Sequence, residues 1–200
     1  AREFQDAHPS GSGNLQHIGA PLPQWLRTRF AGSPYEWFSG IAALEWAWQE
    51  CYIAAEPTAE AVDFSRLGGL STGQQHALRF SLHPACRVLR SRWPLLSIWQ
   101  AHQRAGDLEQ TGLEQIDMGR AEDLLVLRGA AGVQLHALSA GEAILLAQLA
   151  AGESLGAALA AAVSGDPGLD PGAALQRAAR LGVLAEMLVT RCPCASAPAP

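Results

Sequence analysis

Lysine is absent from this 200-residue chain, so its fourteen basic side chains are all arginine, set against nineteen acidic ones for a net charge of −5. That balance argues against the broad attraction to phosphate on which nucleic-acid binding depends. The lack of lysine, together with the abundance of alanine, is expected to reflect genomic base composition more than function. Cysteine is scarce too: Cys51, Cys86, Cys192 and Cys194 make neither a disulfide framework nor a Cys-x-x-Cys pair. Cys51 falls on an apolar helical face and reads as a small core residue, and Cys192-Pro-Cys194, with no histidine beside it, offers too few donors for a metal cage and reads as part of a mobile tail. No two of His8, His17, His76, His83, His102 and His136 have the close helical spacing of a metal site, and His83, followed by Pro84, reads as capping a turn. No run of apolar residues approaches a membrane-spanning length and the N-terminus lacks a secretory pattern, so the expected location is the cytoplasm.

What is present suffices for real cores, since 48% of the residues are hydrophobic. The N-terminal part reads as helical. Residues 21–30 predict a short helix, and Pro34 opens a longer one to about Ala55, on which Trp37, Ile41, Leu44, Trp48, Cys51 and Ala55 recur at three- and four-residue steps. Glu45 lies beside that stripe and is expected to be partly buried, in need of an arginine or backbone partner. The chain begins at Ala1 within an expected helix, which implies a segment upstream that is missing or has been removed.

Residues 66–104 are the most one-sided stretch, with Arg66, Arg79, Arg87, Arg90, Arg92 and Arg104 and no acidic residue, a net +6. Ser71 and Gln74 predict a capping box before a helix over residues 75–82, His83-Pro84 ends it, residues 86–89 read as extended, and Pro94 opens a helix carrying Leu95, Ile98 and Trp99. Arginine interleaved with Trp93 and Trp99 suits nucleic-acid stacking, or a protein interface for which Arg87, Arg90, Arg92, Trp93 and Trp99 are the candidates. The plainer reading is that these arginines pair with acidic residues elsewhere in the chain.

Residues 122–189 read as a compact winged-helix module. Runs at 123–128 and 133–137, separated by Gly129 and Gly132, predict a hairpin. Ser139 and Glu142 predict a capped helix over 140–151 that Gly152 stops; a second helix spans about 155–163; Asp170-Pro171 opens a third that ends at Gly182; and a strand over 183–189 closes the module. Its expected core is Ile144, Leu145, Leu149, Leu155, Leu159, Leu175 and Leu181. Residues 121–190 carry three arginines and seven acidic residues, and the third helix offers only Gln176, Arg177 and Arg180 as polar contacts. This sign disfavours DNA, although a DNA-binding transcription regulator stays the alternative function.

The segments Leu44-Glu-Trp-Ala-Trp48, Leu82-His-Pro-Ala-Cys-Arg-Val-Leu-Arg-Ser-Arg-Trp-Pro-Leu-Leu-Ser-Ile-Trp-Gln100 and Leu138-Ser-Ala-Gly-Glu-Ala-Ile-Leu-Leu146 resemble the HvfC/BufC family, bacterial proteins often labelled DNA-binding. The similarity runs over residues 1–189, with residues 1–10 resembling the end of the family's helical N-terminal domain, whose earlier helices have no counterpart here. Family members accompany TIM-barrel, multinuclear non-heme iron-dependent oxidative enzymes that modify cysteine-containing precursor peptides. The resemblance implies a non-catalytic partner subunit, with no cofactor of its own and iron in the enzyme beside it. Residues 122–189 also resemble PqqD-like peptide-recognition elements, which capture a leader peptide as an added strand and need no basic surface.

The expectation is therefore an α+β chain: a helical part over residues 1–56, an arginine-rich connection over 57–120, a peptide-recognition module with a small antiparallel sheet over 121–190, and a flexible tail over 191–200. The expected peptide-binding edge is Val133, Gln134, Leu135 and His136, or the strand starting at Val183 and Leu184, flanked by Gln176 and Arg180.

Overall fold

A computed structural model describes residues 2–9, 18–55, 62, 64–104 and 112–188. Along the chain come α1 (Arg2–Ala7), α2 (Leu22–Arg29), α3 (Phe38–Ile53), α4 (Thr72–Ala77), β1 (Arg79–Leu82), β2 (Cys86–Ser91), α5 (Leu95–Arg104), β3 (Glu122–Gly129), β4 (Gly132–Leu138), α6 (Ala140–Ala150), α7 (Leu155–Gly165), α8 (Pro171–Arg180) and β5 (Leu184–Leu188). The chain is α+β, with two small sheets among the described residues, the antiparallel pair β1-β5 and the three-stranded β2-β3-β4. No helix among the described residues is long and apolar enough to cross a membrane.

The chain divides into two compact units, each made of two segments, residues 1–54 with 87–137 and residues 55–86 with 138–200. This grouping departs from the sequence expectation of one module over residues 121–190. The hairpin β3-β4 joins β2 in the first unit, whereas the helices after residue 139 and the final strand join β1 in the second. The reason is the identity of the strand partners. Apolar alternation marks a run as a strand but leaves open which strand it pairs with.

In the first unit α3 packs on α2, α5 and β3. Its buried residues are Ser39, Ala42, Leu44, Ala47 and Cys51, and β3, the middle strand, buries Leu124, Leu125, Val126 and Leu127 in succession. Four consecutive buried side chains mean that both faces of this strand are covered. Glu122 at the start of β3 accepts from the Leu96 amide (2.8 Å) and the Ser97 hydroxyl (3.0 Å), so a carboxylate meets the free amides of the first turn of α5. The long helix begins at Phe38, later than expected, because residues 34–37 form turns. Trp37, Ile41 and Trp48 are only half-buried, and Ala55 and Glu45 are exposed. The expectation that Glu45 is partly buried is therefore wrong: it lies one position beyond the buried face marked by Leu44.

In the second unit β1 runs antiparallel to β5, pairing Arg79 with Leu188, Phe80 with Met187 and Ser81 with Glu186, then slipping so that Leu82 meets Leu184. The helix expected over residues 75–82 ends at Ala77. Ser71 and Gln74 do form the capping box, but Leu78 turns extended at φ −58° and ψ 145°, and its carbonyl accepts from the Leu155 amide at 2.7 Å. Residues expected to continue the helix are instead paired as a strand with a ladder partner more than a hundred positions away. α6, α7 and α8 lie where their caps place them. Ser139 and Glu142 form the capping box of α6, Ser154 caps α7, and Asp170 accepts from the Gly172 and Ala173 amides ahead of α8. Gly182, at φ 73°, ends α8 with its own amide on the Ala179 carbonyl and the Val183 amide on the Ala178 carbonyl, a left-handed cap that favours glycine. Leu145, Leu149 and Leu155 are buried as expected, but Ile144, Leu159, Leu175 and Leu181 are half-exposed. Ala143, Ala158, Ala162, Ala174 and Ala178 are buried in their stead, because small side chains let alanine-rich helices approach closely.

Candidate peptide-binding edges and partner surfaces

The residues expected to bind peptide fall into both units. Val133, Gln134, Leu135 and His136 lie on β4, which like β2 is an outer strand of its sheet; Gln134 is exposed and the other three are half-buried. Gln176 and Arg180 are exposed on α8. Val183 and Leu184 are buried, at 0% and 5% exposure, and the Val183 carbonyl already accepts from the His83 amide at 2.7 Å. Those two side chains are core and have no surface to offer a peptide; only the backbone of β5 has an outer side. The last part of the expected closing strand, at residue 189, lies outside the described residues, as do Cys192 and Cys194.

The two edges differ as templates. β4 runs for seven residues beside a middle strand, whereas β5 runs for five in a two-stranded pairing with an irregular step. A register break twists a strand and interrupts its ladder, and a third strand steadies a sheet.

The arginine-rich stretch spans both units, and its Arg87, Arg90 and Arg92 are committed within the first. Arg87 donates to Glu50 at 2.8 Å, Arg90 lies 3.3 Å from Asp123, and Arg92 pairs with Glu36. The Arg92 guanidinium also sits over the Trp93 ring, 4.9 Å from its centre. These partners support the plainer reading of the arginines, because a guanidinium already holding a carboxylate is less available to phosphate. Arg79 donates to the Gly152 carbonyl in the second unit. The side chains of Arg66 and Arg104 lie outside the described residues.

Clefts open among the described residues of the first unit. One, of about 520 Å³, is lined by Arg27, Glu36, Gly40, Arg90, Arg92 and Trp93. Another, of about 440 Å³, lies among α2, α3 and α5, with Leu26, Trp37, Ile41, Glu45, Trp99 and His102 on its walls. Trp99, expected at a partner surface, lines this second cleft. Sequence reading did not assemble it, although Trp37, Ile41 and Glu45 at four-residue steps carried the signal of a shared helical face. Cys51, fully buried, donates its thiol toward the Val126 carbonyl at 3.5 Å, and burial pushes its pKa up from 9.0 to about 11. Among the described residues no group of three or more His, Cys, Asp or Glu is placed to hold a metal ion. No family model and no curated protein matches this chain.

Proposed function

We propose that this chain is a non-catalytic partner subunit that binds the leader of a cysteine-containing precursor peptide and presents it to a TIM-barrel, multinuclear non-heme iron-dependent oxidative enzyme. The observation that carries the reading is the outer strand β4, seven residues long and flanked on one side only in the order β2-β3-β4. An extended peptide adds to such a strand through main-chain hydrogen bonds, and the half-buried Val133, Leu135 and His136 with the exposed Gln134 supply side-chain contacts on either face. Strand addition needs no basic surface. That agrees with the net charge of −5 and with three arginines held by carboxylates.

The resemblance of residues 44–48, 82–100 and 138–146 to the HvfC/BufC family, and of 122–189 to PqqD-like elements, supplies the chemistry of the partner and of the peptide. In this proposal the peptide edge, β4, belongs to the first unit, and the part of the PqqD-like stretch after residue 138 falls in the second. Trp93 and the outward faces of Arg87, Arg90 and Arg92 remain the candidates for docking on the enzyme, since each of these arginines stays at least partly exposed while paired. Catalysis, and the iron it uses, belong to the enzyme.

The test is co-expression with the neighbouring iron enzyme and precursor, followed by co-purification and amide exchange. Binding of the precursor should slow exchange over Gly132–Leu138 and depend little on salt, changing less than about threefold between roughly 50 and 200 mM, where phosphate-driven binding would fall by about a thousandfold. Failure to retain either partner, or steeply salt-dependent binding to duplex DNA, overturns the proposal.

A further inference from the structure

Most carboxylates that meet a cavity or a helix in the first unit are already occupied. Glu36 holds Arg92, Glu50 holds Arg87, Asp123 holds Arg90, and Glu122 accepts from the start of α5. Glu45 differs: it lines the 440 Å³ cleft, is exposed at its wall, and makes no hydrogen bond or ion pair among the described residues. Apart from His102 and Gln103 the rest of that wall is apolar and aromatic, with Trp37 just ahead of α3, Phe38 and Ile41 on α3, Trp99 on α5, and Leu22 and Leu26 on α2.

His102 supplies the second polar group. Its Nδ1 lies 2.9 Å from the Ile98 carbonyl, which can only accept, so Nδ1 carries a proton, and in that tautomer Nε2 is an acceptor. A carboxylate and an imidazole acceptor on an aromatic cleft favour one kind of ligand. Both attract N–H donors, the indole faces attract a cation, and an anion would meet Glu45 with no cation among the described residues of the cleft wall to offset it. The volume falls in the range of about 300–1,000 Å³ typical of small-molecule sites.

We propose that this cleft binds a small organic amine, its ammonium held at Glu45 and His102 and its aromatic or aliphatic body against Trp37, Ile41 and Trp99. The site is separate from the β4 edge, and the inference stands whether or not the peptide reading holds.

Phenethylammonium is the probe, with neutral 2-phenylethanol as its uncharged counterpart, titrated into the full chain while the indole N–H resonances are followed. Single Trp37→Phe and Trp99→Phe variants identify the two signals that should move. The amine should shift both saturably and bind about fivefold more tightly than the alcohol, as expected for one partly exposed charge contact against aromatic walls. Glu45→Gln, on an exposed helical position, should erase that difference and leave the fold intact, checked by an unchanged melting temperature. Equal binding of amine and alcohol, or a preference that survives in Glu45→Gln, overturns the proposal. Much tighter binding of acetyl-Phe-Arg-amide than of phenethylammonium overturns it in another way, assigning the cleft to a basic side chain of a partner polypeptide.

Discussion

The Arg177 guanidinium donates to both carboxylate oxygens of Glu142, at 2.8 and 2.7 Å, while that same carboxylate accepts from the Ser139 amide and so completes the capping box of α6. One side chain thus closes the N-terminus of α6 and ties it to α8, two helices that local sequence signals place only individually. Glu142 is well sheltered, with 14% of its side chain exposed, so the pair is stronger than a typical surface ion pair.

Glu142→Ala removes a cap and an ion pair together and should cost about 2 kcal/mol, against about 1 kcal/mol for Arg177→Ala. Urea unfolding of both variants and the double variant checks this. The double variant should fall short of the sum of the single ones by about the value of the pair.

Cys51 should resist thiol reagents. Its thiol is fully buried and its pKa is raised from 9.0 to about 11, chiefly by desolvation, with nearby charges as smaller influences. Iodoacetamide at pH 8 should leave the Cys51 peptide unlabelled in the folded protein and label it in denaturant, as read by mass spectrometry. Because the folded thiol holds its proton more tightly than the unfolded one, the folded state is favoured fully below pH 9 and loses stability as pH rises toward 11, by up to about 3 kcal/mol. Cys51→Ala should flatten that alkaline decline.

Two glycines in helices should respond oppositely to alanine. A Cβ on Gly40 in α3 would stand 2.8 Å from Cδ2 of Leu95, which is only 2% exposed and has little room to yield. A Cβ on Gly73 in α4 meets nothing within 4 Å. Gly73→Ala should therefore stabilise by up to about 1 kcal/mol through helix propensity, and Gly40→Ala should destabilise by about 1 kcal/mol despite the same gain. Thermal melts of the two variants decide the sign.

The arginine pairs make a prediction about stability that differs from one about DNA. Replacing Arg87, Arg90 and Arg92 together with Gln should lower the melting temperature, because Glu50 and Asp123 lose partners while staying partly sheltered. Binding to a random duplex, measured by fluorescence anisotropy, should be weak before and after. A large loss of duplex affinity in the triple variant would show that these arginines serve phosphate.

Local signals gave the helices and their ends well, and failed where a residue's neighbour is remote. Ser139 with Glu142, Ser71 with Gln74, Asp170 with Pro171, and the stops at Gly152 and Gly182 all act within five residues, so reading them needs no knowledge of the fold. The candidate surfaces were less legible. Val183 and Leu184 look like any alternating edge in sequence, yet both are buried, and Glu45, expected to be partly buried beside the apolar stripe, is exposed.

By itself the sequence determined an acidic, lysine-free α+β chain, the capped helices after residue 139, the strand-prone runs on either side of Gly129 and Gly132, and a surplus of arginine over residues 66–104. Tertiary structure alone decided that β5 pairs with β1 and leaves the β3-β4 hairpin to β2, and that Arg87 and Arg92 reach back 37 and 56 residues to Glu50 and Glu36. Capping and helical periodicity are settled among near neighbours in the chain. Strand pairing and ion pairing depend on which distant groups packing brings within a few ångströms, and no local pattern records that choice.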